Sequence, residues 1–225
     1  MVKKDKRIMI NIGCGPTGHE DWINLDWGIL AFLHRFLWLE KLIFKLGLWP
    51  GGQNDITYDV KWPKNLRLAN CTKPLKFRKN SVDYIYSSHF FEHIKKYQTI
   101  AVLRSCYRCL KPGGTIRISI PDLDFIIDQY KNSTDDIKKV DVINDHIYAL
   151  GEQGLTPLGF YQKIQNLFMR GHQWIYNYEY LKGMLVKSRF KEFSIVRCQP
   201  REGKVPNLDV LDCHEDESIF LEATK

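Results

Sequence analysis

Apolar residues gather in short runs at residues 8–12, 22–26, 65–70, 82–87, 115–120, 193–198 and 217–223, with helical spacing between most of them. Strands of this length alternating with helices predict one largely parallel sheet with helices on both faces. The clearest helix spans about Gln98 to Leu110. Its apolar positions Ile100, Leu103, Tyr107 and Leu110 recur at three and four, and Lys111-Pro112-Gly113-Gly114 supplies a basic last turn followed by breakers. The strand after it runs into Pro121-Asp122 at its carboxyl end, the edge where open α/β sheets hold their ligands. The last two strands are joined by a polar, proline-containing segment without a helical pattern, so they are expected to pair antiparallel.

Two stretches depart from this alternation. Residues 29–49 are rich in Leu, Phe and Trp, but His34, Arg35, Glu40, Lys41 and Lys45 interrupt them, so they cannot form an ordinary membrane span. On a helical wheel His34, Lys41 and Lys45 share one face, and Leu30, Leu37 and Phe44 another. The expectation is an amphipathic insertion over about residues 29–50, packed on its own domain or docked at a membrane surface or partner. The second stretch, about residues 123–176, exceeds what a minimal doubly wound fold needs. Helical patterns near 123–130, 136–149 and 160–169 predict a lid over the pocket.

Composition narrows the class. With 225 residues, 44% of them hydrophobic, and no long Pro/Gly/Ser linker, the chain reads as one domain. The first apolar run is too short for a signal-peptide core, and six cysteines in a chain this long are no disulfide framework; a reducing cytoplasm is expected. Cys106 and Cys109 sit within the apolar stripe of a helix and have no second Cys/His pair at zinc-finger spacing, so no metal ligand set is expected. A net charge of +7 with dispersed lysines permits an anionic partner, but no basic stripe with interleaved aromatics marks a nucleic-acid surface.

The candidate chemistry starts at Gly13-Cys14-Gly15-Pro16-Thr17-Gly18, directly after the first strand. Taken literally this is a dinucleotide fingerprint, which requires a helix opening at the loop and an acid about 20 residues on. Asp26 follows Gly13 by only 13 positions, and only three residues separate Gly18 from Trp22, so a helix able to hold a pyrophosphate does not fit. A nucleoside without phosphates needs only close backbone approach and a carboxylate for its ribose hydroxyls, and this spacing keeps both.

Three ordered motifs carry a resemblance: Asn11-Ile12-Gly13-Cys14-Gly15-Pro16 with Asp26, the segment from Lys73 through Ser87-Ser88-His89-Phe90-Phe91-Glu92-His93, and Leu103-Arg104 through Lys111-Pro112-Gly113-Gly114. Over about residues 8–125 the chain resembles the class I S-adenosylmethionine-dependent methyltransferases, type 11 above all. The resemblance implies a Rossmann-like, doubly wound, seven-stranded sheet, mostly parallel with an antiparallel last strand, and a helical lid insertion after the fifth strand. It also implies S-adenosylmethionine as cofactor. Gly13, Cys14 and Gly15 would line its methionine and ribose part, and Asp26 would bind the ribose hydroxyls. Asn70 stands where the family usually has an aspartate for the adenine amino group; its carbonyl oxygen can accept the same bond, with the Cys71 N–H facing the ring. Ser87, Ser88 and His89, ending the fourth strand, would lie beside the sulfonium and the acceptor.

Gly171-His172-Gln173-Trp174-Ile175-Tyr176, the stretch from Leu181 to Phe190 and the closing Ser218–Ala223 are similar to predicted bacterial methyltransferases that accompany polysaccharide-building enzymes. That likeness implies a hydroxyl on a sugar, polysaccharide or glycolipid intermediate as acceptor. The alternatives are a methyltransferase for RNA, protein or another metabolite, or a non-catalytic S-adenosylmethionine-binding protein. A hydroxyl acceptor must lose its proton, and His89, Asp122 and His172 are the candidate catalytic groups. Glu92 and His93 are expected to be structural or cofactor-side, and His146 a surface or packing residue.

Overall fold

The computed structural model describes residues 7–47, 60–148 and 171–225. Seven strands form one sheet: β1 Met9–Ile12, β2 Ile23–Asp26, β3 Arg67–Leu68, β4 Val82–Ser88, β5 Leu110–Pro121, β6 Ile195–Cys198 and β7 Ser218–Thr224. Their spatial order is β3-β2-β1-β4-β5-β7-β6, and β7 alone runs antiparallel to both of its neighbours. All seven expected strands are present in the expected sense. The order reverses between β1 and β4, so the connections leaving their carboxyl ends run to opposite sides, which is where a doubly wound sheet opens its ligand crevice.

The helices are α1 Ile29–His34, α2 Leu37–Lys45, α3 Lys96–Cys109, α4 Leu123–Asn132, α5 Asp136–Tyr148, α6 Tyr178–Lys187 and the one-turn α7 Leu208–Leu211. Helix α3 begins at Lys96 because the Lys95 N–H donates to Gln98 Oε1 at 3.0 Å, satisfying one donor of the open first turn. Its inner face, with Val102, Leu103, Cys106 and Cys109, is buried in the core, and Ile100 and Tyr107 of the apolar stripe pack against it partly buried. The strands contribute Ile10, Ile12, Ile85, Ile116, Ile118 and Leu221 to the same core. All six cysteines are free thiols.

Three elements differ from expectation. Strand β5 starts at Leu110 and passes through Gly113 and Gly114 rather than after them. These glycines build a bulge: Gly113 has φ +80, and a Cβ on Gly114 would lie 3.0 Å from the Asp83 and Lys111 carbonyl oxygens. Strand β3 is only two residues long; Asn65 before it donates its side-chain amide to the Trp22 and Glu20 carbonyls and accepts from Asn24 Nδ2, tying this segment to the start of β2. The expected amphipathic helix is two helices, broken at Arg35-Phe36. His34 turns inward to the buried Glu40 carboxylate at 3.1 Å, while Leu37, placed on the apolar face, is exposed. Two of the three helices expected after β5 are present as α4 and α5, and the third, near 160–169, lies outside the described residues.

Candidate active site

Strand β1 ends in Gly13, whose φ of +64 suits a residue without a Cβ; a Cβ there would lie 2.7 Å from the Phe90 ring. The Gly13 and Cys14 N–H groups both donate to the Leu25 carbonyl, at 2.8 and 3.1 Å, folding the turn back onto β2. Gly15, at φ +50, donates its N–H to Asp26 Oδ2 at 2.8 Å. The glycine turn and the acid at the tip of β2 are therefore one hydrogen-bonded unit. Between Gly15 and β2 there is a single 3-10 turn, Gly15–Thr17, and no longer helix, as the spacing required.

This unit forms one wall of a cavity of about 750 Å³, within the range of small-molecule sites. Gly13, Gly15, Asp26, Asn70 and Cys71 line it, together with His89, Phe90, His93 and Gln98 from the far side. Trp27, Gly28 and Phe32 close the side left open by the shortened connection, so the start of the 29–49 insertion belongs to the pocket wall. Burial pushes the Asp26 carboxyl above its ordinary value, opposed by the N–H groups of Gly15 and Trp27. Burial likewise raises the Cys71 thiol to about 12, so it is neutral and acts through its backbone.

Two other expected cofactor residues, Cys14 and Ser87, are not among those lining the cavity. The Cys14 side chain is buried against Ala31 and Leu66, and burial raises its thiol pKa. Ser87 is wholly buried and donates to the Ile12 carbonyl at 3.2 Å, tying β4 to β1 under the cavity floor. Asn70 Oδ1 accepts from the N–H and hydroxyl of Thr72 at 3.0 and 2.6 Å. That turn fixes Asn70 at the cavity rim.

The His89 side of the cavity is built by long-range contacts. His89, at φ +47 directly after β4, places Nε2 2.9 Å from Ser218 Oγ and Nδ1 3.2 Å from Glu92 Oε1. A non-glycine residue in the left-handed region costs about 1–3 kcal/mol, and such strain concentrates at functional sites. The His214 ring lies against His89 at 4.1 Å between centroids, tilted by 45°, and His214 and His146 reach the two oxygens of Glu217 at 3.8 and 3.6 Å. On the other side the His93 and His172 rings meet edge to face at 5.0 Å, and His172 Nδ1 bonds the His146 carbonyl. Five of the seven histidines thus form one cluster, of which His89 and His93 line the cavity while His146 and His214 line a second, neighbouring pocket.

Asp122, also expected in the chemistry, is engaged elsewhere: Oδ1 caps α4 through the Asp124 N–H at 3.0 Å, and Oδ2 pairs with Arg197 at 3.2 Å. Burial raises its carboxyl pKa, opposed by that N–H and by Arg197. His172 does join the cluster, its pKa lowered by burial. His93, His146, His214 and Glu92 were not placed in the chemistry by the sequence. The one available signal was their density near strand ends, His89 and His93 after β4 and His214 before β7.

A type 11 family model described as a methyltransferase domain matches residues 52–118, less than half of the chain. Among solved structures, an S-adenosylmethionine-dependent methyltransferase from Methanosarcina mazei matches at 14% identity with a TM-score of 0.51, covering 96% of this chain and 91% of that one. One from Archaeoglobus fulgidus matches at 15% identity and a TM-score of 0.50, covering 99% and 87%. Three other matched structures are longer proteins, of which the chain spans 54%, 62% and 52%. No curated protein matches the sequence. At these identities the solved structures show the fold, and the fold is the Rossmann-like one of class I methyltransferases. The matched domain supports S-adenosylmethionine-dependent methyl transfer and implies S-adenosylmethionine as the cofactor.

Proposed function

From the premise of a class I fold around a nucleoside cradle, we propose that the protein transfers a methyl group from S-adenosylmethionine to a hydroxyl of a sugar, polysaccharide or glycolipid intermediate. The observation that carries methyl transfer is the Gly15–Asp26 unit, a close-approach backbone turn joined to a carboxylate across an open cavity from His89. The residues suit the cofactor. A Cβ on Gly15 would meet no atom within 4 Å, so the space before the turn is free, and Asp26 keeps a second oxygen for ribose. Asn70 and Cys71 stand at the adenine side of the rim, and Trp27 and Phe32 can cover the nucleoside from above.

S-adenosylmethionine supplies a methyl group already activated by its sulfonium, so the protein's contribution is positioning, worth up to about 7–11 kcal/mol, and removal of the acceptor proton. His89 is the group we assign to that proton. Its Nε2 now holds Ser218 Oγ; an acceptor hydroxyl taking the place of that hydroxyl would give its proton to Nε2, and the imidazolium formed would face the Glu92 carboxylate. Asp122, bound as a helix cap, keeps the end of β5 in place.

The carbohydrate acceptor rests on the likeness of the C-terminal third, and a lipid-linked form of it is supported by the surface beside the pocket. Trp27, Phe32, Phe36, Leu37, Trp38 and Leu46 are exposed, from 40% to 68%, next to Arg35, Lys41 and Lys45. Large apolar side chains ringed by cations fit an anionic membrane surface. No helix among the described residues is long and apolar enough to cross a membrane. The test is a transfer assay with labelled methyl donor and extracted cell glycans, glycolipids and RNA, beside sedimentation with anionic liposomes. Label in a glycan or glycolipid with co-sedimentation is expected. Label in RNA alone would replace the acceptor, and failure to sediment would remove the membrane.

A further inference from the structure

Glu92 lies in the 3-10 turn after β4 and is wholly buried, yet neither carboxylate oxygen accepts a hydrogen bond among the described residues. A buried carboxylate without partners costs several kcal/mol unless a cation compensates it. His89 Nδ1 at 3.2 Å faces only Oε1. A Glu92 oxygen and one ring nitrogen each of His93 and His172 also lie within 4.8 Å of one another. The geometry points to a binding site for a divalent first-row transition-metal ion, held by Glu92, His93 and His172 at the acceptor end of the cavity.

The surroundings are those of a metal site. His172 Nδ1 is engaged by the His146 carbonyl, which fixes the ring and leaves Nε2 to ligate, the outer-shell arrangement found behind metal-bound histidines. The Glu92 carbonyl accepts the N–H groups of Gln173 and Trp174 at 2.6 and 3.2 Å, locking the segment that carries His172 against the turn that carries Glu92 and His93. Two imidazoles and one carboxylate leave coordination positions open, and this donor set suits zinc or iron(II) rather than magnesium or calcium, which favour all-oxygen shells. Of the three, His93 lines the cavity, which connects the site to it.

Its use in catalysis rests on the transfer reading above. A cation there would draw electron density from the acceptor hydroxyl, easing loss of its proton to His89; the oxygen lone pair then forms the bond to the methyl carbon as the carbon–sulfur pair returns to sulfur. Binding itself does not depend on that reading.

The full chain, freed of metal by chelator, is titrated with Zn²⁺ by calorimetry and with Co²⁺ by visible absorption, without methyl donor. Equimolar binding is expected, weakened at least about tenfold in His172→Ala and unchanged within about twofold in His214→Ala. Circular dichroism and S-adenosylhomocysteine binding of each variant establish that it is folded. No equimolar binding by the wild type, or equal affinity in a folded His172→Ala, would overturn the site. Loss of binding in His214→Ala alone would overturn it too, moving the ion to the His89–His214–Glu217 group. If metal fails to bind while S-adenosylhomocysteine still binds, the methyltransferase reading stands without it.

Discussion

The two ends of the cavity are made in opposite ways. The proposed ribose cradle comes from one stretch of chain: Gly13, Gly15 and Asp26 lie within 14 residues, and Gly15 and Asp26 are tied by a hydrogen bond at 2.8 Å. The acceptor end draws His89, Glu92, His172 and Ser218 from segments up to 129 positions apart. A short-range unit can be transplanted among proteins of one fold with its ligand unchanged. A long-range one is rebuilt whenever a loop changes, so the donor is common to the fold and the acceptor is particular to the chain.

If the two ends are separable, changes at one should leave the other's observable alone. The largest effect is expected from His89→Ala, which should lower methyl transfer by roughly two to four orders of magnitude while leaving S-adenosylhomocysteine affinity within about twofold. Turnover and calorimetry on the same preparation check this. Joint loss of both would merge the two ends.

Gly13→Ala should act in the opposite sense. The alanine must hold φ +64 with its Cβ 2.7 Å from Phe90, at a cost of about 1–3 kcal/mol. A lower melting temperature and weaker cofactor binding are expected together, measured by thermal denaturation with and without S-adenosylhomocysteine.

A smaller effect comes from pH. Burial holds the folded Asp26 carboxyl above its ordinary value of 3.8, and only the ionised form accepts two hydroxyls. Cofactor affinity should therefore fall as acidity rises through a pH above the usual carboxylate range. Stability should respond with the opposite sign. A raised carboxyl favours folding below its unfolded pKa and loses that contribution as pH rises through the folded one, so Asp26→Asn should not lower the melting temperature at pH 7. Binding and melting profiles from pH 4 to 8 check both.

The same contrast explains what the sequence revealed. Strand periodicity is local, and all seven strands and the antiparallel closure followed from it. The distance from Gly13 to Asp26 ruled out a pyrophosphate-binding helix before any coordinates, and the single 3-10 turn at Gly15–Thr17 agrees. Where long-range pairing competes with local signals, expectation and structure part. Gly113 and Gly114 read as breakers, but β4 draws them into β5 as a bulge. His34 read as a polar-face residue, but the buried Glu40 draws it inward. His146 carried no local signal, since its imidazole reaches the cluster only once α5 meets Glu217 on the approach to β7.

The most direct measurement is calorimetric titration of the full chain with S-adenosylhomocysteine, wild type beside Asp26→Asn. A cradle built on the Gly15–Asp26 unit gives saturable, equimolar binding by the wild type. The variant should bind about 10- to 100-fold more weakly, the loss of one or two hydrogen bonds to a charged acceptor. No binding by the folded wild type, or equal affinity in the variant, would contradict it.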